Sequence, residues 1–104
     1  MTKQPKYLYK ITTEALWEQS RSQDTLALSP DDNLFIHLAE KNDIDRIIKK
    51  FFHQEKRVVI IKLDLKKLSG RLVKEKNPGG EREYYHLYEG KILKSAIITS
   101  DLKI

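Results

Sequence analysis

Val58-Val59-Ile60-Ile61-Lys62-Leu63 is a β-branched, apolar run in the second half of a chain of 104 residues. Its apolar residues do not alternate with polar ones, which is typical of a strand that is covered on both faces. We therefore predict that this strand is the central one around which a β-sheet is organised. Further strands are predicted at Tyr7–Ile11, at Arg71–Glu75 and at Ala96–Ile98.

Two helices are predicted in the first half of the chain. The first runs from about Thr13 to Arg21, with Thr12 or Thr13 as its cap. The second follows Asn42, which can cap it. Its apolar residues recur at the helical spacing i, i+3, i+4, i+7 and i+8, and they are Ile44, Ile47, Ile48, Phe51 and Phe52.

The order of these elements indicates the fold class. Helices come early and strands follow, which favours α+β over a regular βαβ wind. The length is typical of one domain, so we predict a single small domain over residues 1–104 with a mixed or antiparallel sheet. Thr25–Ser29 is predicted as a short strand or linker, Asp64–Ser69 as a helical turn closed by Gly70, and Pro30–Asn33 and Asn77–Gly80 as turns.

Composition restricts the environment of the protein. The chain has no cysteine, which excludes disulfides and thiol nucleophiles and is compatible with a reducing compartment. No apolar run approaches the roughly 20 residues of a membrane span. The first six residues precede a strand pattern rather than the apolar centre of a signal peptide. We therefore predict a cytoplasmic monomer without membrane contact.

Positive charge is concentrated in the second half of the chain. Through Phe52, eight Lys and Arg oppose eight Asp and Glu, whereas twelve oppose seven from His53 onward, and the net charge is +5. Such a field can attract nucleic acid, nucleotides or other phosphorylated ligands. The alternative is a solvated lysine surface, because 15 of the 20 cations are Lys rather than Arg.

Two histidines lie within apolar stretches. Leu34–Leu38 reads as a strand with Leu34, Ile36 and Leu38 on one face, and Phe35 and His37 on the other. His86 lies in the aromatic stretch Tyr84–Tyr88. An imidazole can donate or accept a hydrogen bond near neutral pH, so both histidines are candidates for contact with ribose or phosphate and for proton transfer. Buried structural histidines are the alternative.

Several short segments together resemble a known family. They are Tyr-Leu-Tyr-Lys-Ile-Thr (7–12), Glu-Ala-Leu-Trp (14–17), Phe-Ile-His-Leu (35–38), Phe-Phe (51–52), Leu-Asp (63–64), Glu75, Gly-Gly (79–80) and His-Leu-Tyr (86–88). In order and spacing they resemble the small bacterial family called domain of unknown function 952. The resemblance covers nearly the whole chain. It implies a compact α+β domain similar in fold to ADP-ribosyltransferases and to the RNA 2′-phosphotransferases that consume NAD.

The resemblance carries over to individual residues. His37 matches the family's Gly-Phe-Ile-His-Leu-Ser pattern, His86 and Tyr88 match its Pro-His-Leu-Tyr-Gly pattern, and Glu75 matches the acidic residue between them. The chain departs from these patterns at four positions that border the proposed site. Leu34 replaces glycine, Ala39 replaces a small polar residue, Tyr85 replaces proline, and Glu89 is an apparent insertion.

Two functional hypotheses follow. In the first, the protein binds or transforms NAD, ADP-ribose or a 2′-phosphorylated nucleotide, with Glu75 and His86 as catalytic residues and with His37, Tyr85 and Tyr88 contacting the ligand. NAD is the candidate cofactor. In the second, a non-catalytic module binds nucleic acid or an acidic protein through a basic face, and the histidines are structural. We predict no metal site, because His37, His53 and His86 lack close ligand spacing.

Overall fold

The computed structural model describes residues 4–103. The strands are β1 (Tyr7–Thr13), β2 (Ile36–Leu38), β3 (Val58–Asp64), β4 (Arg71–Lys76), β5 (Glu83–Tyr88) and β6 (Ile97–Lys103). The helices are α1 (Glu14–Ser20) and α2 (Ile44–Phe51). Neither helix of this region is long and apolar enough to cross a membrane. The predicted absence of a signal peptide concerns a segment whose first three residues lie outside the described residues.

The strands form two antiparallel sheets of three strands each. Their orders are β1-β3-β6 and β2-β5-β4. The α+β prediction is confirmed, and β3 is the central strand of its sheet, although the second sheet was not predicted as a separate unit. The sheets are joined where Tyr9 and Ala39 exchange backbone hydrogen bonds of 2.8 and 2.7 Å.

The main core lies where the two sheets pack together. Because side chains alternate along a strand, each sheet presents one apolar face to this core. The first sheet contributes Leu8, Ile61 and Leu63, and the second contributes Leu38 and Leu87. A smaller cluster forms under α2, where Ile44, Ile47, Ile48 and Phe52 pack against Ile11, Ala39 and Val58.

Some predicted boundaries and faces differ from the structure. Thr13 caps α1 by accepting a hydrogen bond from the Leu16 backbone N–H (3.2 Å), but Asn42 does not cap α2, which begins after a 3-10 turn at Lys41–Asp43. Phe51 lies in the last turn of α2 and is 53% exposed. Leu34 is 79% exposed, because β2 begins only at Ile36.

The ends of the chain's extended segments also differ from the prediction. Ala96 lies in a 3-10 turn, and the last strand continues to Lys103 instead of ending near Ile98. Of the two alternatives predicted for Thr25–Ser29, the linker is observed, with a single bridge between Thr25 and Leu93. The sequence does not show where the last strand ends, because pairing with β3 determines how far β6 extends.

Gly70 allows β4 to begin directly beside the end of β5. Its φ angle is +99°, and a Cβ at this position would lie 2.5 Å from the Tyr88 carbonyl oxygen. The predicted helical turn before it is the 3-10 turn Leu65–Lys67. Gly79 also has a positive φ, of +77°, but a Cβ there would meet nothing within 4 Å. A side chain at Gly79 therefore introduces backbone strain only, whereas a side chain at Gly70 introduces both backbone strain and steric overlap.

We expect Gly70→Ala to destabilise the protein far more than Gly79→Ala. Left-handed backbone costs an L-residue about 1–2 kcal/mol at either position. At Gly70 alone, overlap with Tyr88 adds a steric cost. The expected loss in the free energy of unfolding of Gly70→Ala is therefore roughly 3 kcal/mol or more. Urea denaturation of the two variants measures the difference. Equal free energies of unfolding would contradict the close approach of β4 and β5.

Candidate functional site

A buried ion pair lies beneath one edge of the second sheet. Lys10, on β1, places its Nζ 2.9 and 3.0 Å from the two carboxylate oxygens of Asp32, and both side chains are less than 10% exposed. Asp32 ends the 3-10 turn that begins at Pro30. Burial lowers the pKa of Lys10 even though the charge of Asp32 opposes this effect. Lys10 also donates to the His37 carbonyl oxygen (3.1 Å), which ties β1 to β2.

Asp32 also orients His37. Its Oδ1 accepts hydrogen bonds from the His37 backbone N–H (3.0 Å) and from His37 Nδ1 (2.9 Å). Burial by itself raises the pKa of Asp32, but the His37 hydrogen bonds and the charge of Lys10 outweigh it and lower that pKa to about 2. Because an ionised carboxylate only accepts, Nδ1 of His37 carries a hydrogen. Nε2 then has no partner among residues 4–103, on a side chain that is 37% exposed.

A second polar network surrounds His86. The ring is fully buried, and its Nδ1 donates to Glu75 Oε2 (2.8 Å). Nε2 lies 2.7 Å from Oδ1 of the Asn77 side-chain amide. A neutral ring requires the nitrogen of that amide to face Nε2, whereas a charged ring requires its oxygen. A rotation of Asn77 therefore accommodates either form of His86.

Glu75 connects this network to the surface. Its Oε2 also accepts a hydrogen bond from the Tyr88 hydroxyl. The Tyr88 hydrogen bond and then the His86 one lower the pKa of Glu75, and the bond to Glu75 raises the pKa of Tyr88. Glu75 is therefore ionised at neutral pH. Its side chain is 34% exposed, and Oε1 has no recorded hydrogen-bond partner within the described chain.

The two networks meet at the histidines. The β2–β5 register places His37 opposite His86, so that both rings lie on the same face of the sheet. Their centroids are 5.4 Å apart in an edge-to-face arrangement. Phe35 stacks on His86 with centroids 3.9 Å apart and also contacts the rings of His37 and Tyr88 at 4.8 and 5.3 Å. Phe35 thus shields the buried hydrogen bonds of His86 from water.

The structure brings four of the five predicted site residues together. His37, Glu75, His86 and Tyr88 form this cluster, which we call the histidine face. Tyr85 does not belong to it. Alternation along β5 turns Tyr85 to the opposite side from His86, where it is 6% exposed within the main core. Contrary to the prediction, Tyr85 therefore does not lie on the same surface as Tyr88.

Four members of the two networks were not predicted as site residues from the sequence. Asp32 and Asn77 were interpreted as turn residues, which they also are, and Lys10 and Phe35 were assigned to strand patterns only. The sequence does contain one indication of the buried ion pair. Lys10 stands between Leu8 and Thr12 in the alternation of β1, so a charged residue occupies a position on the buried face.

The exposed atoms of the histidine face define its chemistry. His37 Nε2 can exchange a proton or a hydrogen bond, and Glu75 Oε1 can accept from a hydroxyl group. The Arg71 guanidinium lies 4.7 Å from the centre of the Tyr88 ring and adds positive charge nearby. Within residues 4–103, no group of three or more His, Asp or Glu side chains is arranged to hold a metal ion.

The histidine face lies apart from the two cavities beside the second sheet. Two cavities of about 270 and 350 Å³ border the second sheet, and neither is lined by His37 or His86. The aromatic packing of Phe35 fills the space above His86. Glu75 nevertheless contacts His86 through Oε2, and the strand registers place its side chain on the same face of the sheet as His37.

A family model described as "Protein of unknown function (DUF952)" matches residues 11–100. The chain belongs to the DUF952 family. All members of the histidine face and Asp32 lie within the matched region, whereas Lys10 lies one residue before it. No curated protein matches the sequence.

Solved structures match the fold of this DUF952 chain. Protein CC0527 from Caulobacter crescentus superposes with a TM-score of 0.76 at 26% sequence identity, over 91% of this chain and 83% of that one. A double mutant of CC0527 gives the same TM-score and coverage at 25% identity. The two-sheet arrangement is thus shared with an experimentally determined structure.

We expect Asp32→Asn to destabilise the protein by about 3–5 kcal/mol, because it leaves Lys10 buried without a counter-charge. Asp31→Asn is the matched control, since Asp31 is exposed on the same turn and should change the free energy of unfolding by less than about 0.5 kcal/mol. Urea denaturation at neutral pH measures both. A loss below about 1 kcal/mol for Asp32→Asn would be incompatible with the buried pair.

The depressed pKa of Asp32 also predicts a pH dependence. Since the folded pKa of about 2 lies below the ordinary 3.8, the unfolded chain takes up the proton first. The contribution of Asp32 is complete near neutral pH and is lost as pH falls from about 5 toward 2, with a total of about 2 kcal/mol. Denaturation curves at several pH values should show this loss in the native protein but not in Asp32→Asn.

Proposed function

We propose that the histidine face binds a nucleotide-type ligand, namely NAD, ADP-ribose or a 2′-phosphorylated nucleotide. The observation that carries the proposal is His37, whose Nδ1 is fixed by Asp32 while Nε2 remains unpaired within the described chain. A ring held in one tautomer and orientation is prepared for directed hydrogen bonding. His37 lies beside the Glu75–His86 network, so the Glu75 carboxylate is a second polar group on the same surface.

The ribose of such a ligand would interact with both groups. In this proposal, Glu75 Oε1 accepts a hydrogen bond from a ribose hydroxyl, and His37 Nε2 contacts a phosphate or a second hydroxyl. In this proposal a base stacks on Phe35, whose side chain is half-buried. Arg71 contributes positive charge toward the phosphates.

The same arrangement supports ADP-ribosyl transfer as the reaction. When the bond between ribose C1′ of NAD and nicotinamide breaks, nicotinamide leaves with the bonding electron pair and positive charge develops on the sugar. An oxygen or nitrogen of the acceptor then forms a bond to C1′ and gives up its proton to solvent. An ionised carboxylate beside that carbon stabilises this charge. Glu75 would have this catalytic role, while His86 and Tyr88 hold its carboxylate in place. We also propose that the two-sheet fold is similar to that of ADP-ribosyltransferases and that the domain acts as a cytoplasmic monomer.

Two observations favour the non-catalytic alternative. The stacking of Phe35 on His86 and the absence of both histidines from the two cavities suit a purely structural network. In that case the basic second half would bind nucleic acid or an acidic protein through its lysines. Binding of this kind weakens steeply with salt and tolerates changes at Glu75.

Residue-resolved NMR titration distinguishes the two functions. The labelled protein is titrated with NAD, ADP-ribose, a 2′-phosphorylated nucleotide and a short RNA, at two salt concentrations. We expect saturable shifts of residues 37, 77 and 88 with one of the small nucleotides. Diffuse shifts over the second-half lysines that disappear at high salt would reject the histidine face as a nucleotide site.

Variants test the role of individual atoms. Glu75→Gln should weaken binding of the nucleotide that causes saturable shifts by about tenfold or more. The reason is that a hydrogen bond to a charged group contributes roughly 1.5–3 kcal/mol. Glu55→Gln removes the same charge from an exposed position after α2 and should leave the affinity unchanged. Equal affinities of the two variants would contradict the proposed contact at Glu75.

A further inference from the structure

A groove runs along the other side of the second sheet from the histidine face. It has a volume of about 350 Å³, which lies within the range of small-ligand sites. Three tyrosines, Tyr7, Tyr9 and Tyr85, line it together with three lysines, Lys6, Lys41 and Lys74. We call it the tyrosine groove. Tyr7 and Tyr9 lie on β1 and Lys6 directly precedes that strand, whereas Lys41 follows β2, Lys74 lies on β4 and Tyr85 lies on β5.

The tyrosine hydroxyls inside the groove are available to a ligand. Tyr85 is only 6% exposed, and within residues 4–103 its hydroxyl has no hydrogen-bond partner. It is nevertheless not a buried unsatisfied atom, and the same holds for the Tyr9 hydroxyl. Both hydroxyls therefore keep contact with solvent. The groove supplies that contact, because both residues line it.

The lysines give the groove a positive charge. The Lys74 ammonium is 3.4 Å from Glu40 and 5.4 Å from the centre of the Tyr85 ring. Lys6 and Lys41 form no ion pair within residues 4–103, and both are exposed. With Glu40 as the one acidic residue of the lining, the formal charge is +2, from three lysines and one glutamate. An anion is therefore favoured in the groove.

We propose that the tyrosine groove is a second ligand site, which binds a small phosphate ester that carries a flat ring, of the class of a nucleoside 5′-monophosphate. The phosphate lies against Lys6 and Lys41, where cations remain unpaired. Tyr7 is 41% exposed, and the Lys62 ammonium lies 4.3 Å from the centre of its ring. The flat ring of the ligand packs on the face of Tyr7 opposite Lys62. The hydroxyls of Tyr9 and Tyr85 bind the polar groups between ring and phosphate.

The site is distinct from the histidine face. Tyr85 and His86 are neighbours on β5 but project to opposite sides of the sheet. Binding in the groove therefore involves none of His37, Glu75 or Tyr88. The predicted ligand contact of Tyr85 is retained in this proposal, but at a different site from the one the sequence suggested.

Titration with AMP, adenosine and inorganic phosphate tests the site. We expect AMP to cause saturable NMR shifts at residues 6, 7, 41 and 42, and to bind more tightly than either adenosine or phosphate. Raising the ionic strength should weaken the binding of AMP but should leave the weak binding of adenosine unchanged. Phosphate binding that equals AMP, or no shift of these residues at millimolar AMP, would overturn the proposal.

Matched variants locate the contacts. Lys41→Gln should weaken AMP about threefold to fivefold, as expected for a partly solvated ion pair, while Lys67→Gln, an exposed lysine outside the groove, should have no effect. Tyr85→Phe removes the hydroxyl and keeps the packed ring, so weaker AMP binding with unchanged unfolding is expected. If AMP instead shifts residues 37, 77 and 88 and leaves residues 6, 7, 41 and 42 unshifted, AMP occupies the histidine face and the groove proposal is wrong.

Discussion

The buried Lys10–Asp32 ion pair is the interaction on which the arrangement of the site depends. Two charges removed from water are stable only when they remain paired, so the pair permits few alternatives to the observed geometry. It connects β1, the 3-10 turn at Pro30–Asp32 and, through the hydrogen bonds of Asp32, the backbone and ring of His37. The same carboxylate thus anchors the loop and determines which nitrogen of His37 remains open.

Strand alternation divides the remaining functional groups between two surfaces. Along β5, His86 and Tyr88 project to one side, whereas Tyr85 and Leu87 project to the other. The first side carries the histidine face and the second covers the core, and the tyrosine groove opens at its edge. Because both surfaces share one strand, a shift of register by one residue would exchange their side chains and disrupt the core as well.

The aromatic rings around His86 change the character of its hydrogen bonds. Phe35 excludes water from one side of the imidazole, and Tyr88 and Glu75 complete a connected network. Hydrogen bonds in such a dry environment hold their partners rigidly, and Glu75 remains ionised because two donors stabilise its charge. This rigidity suits a binding or catalytic carboxylate, and it equally suits a structural network.

Local periodicity was enough to predict the α+β class, the central strand β3 and both helices, and short motifs were enough to select His37, Glu75, His86 and Tyr88 as candidate site residues. The sequence did not show the division into two sheets, the length of β6 or the position of Tyr85, since strand pairing joins residues far apart in the chain. Asp32 and Asn77 looked like turn formers for the same reason. Only the tertiary structure places Lys10 against a residue 22 positions away and thereby makes Asp32 the group that orients His37.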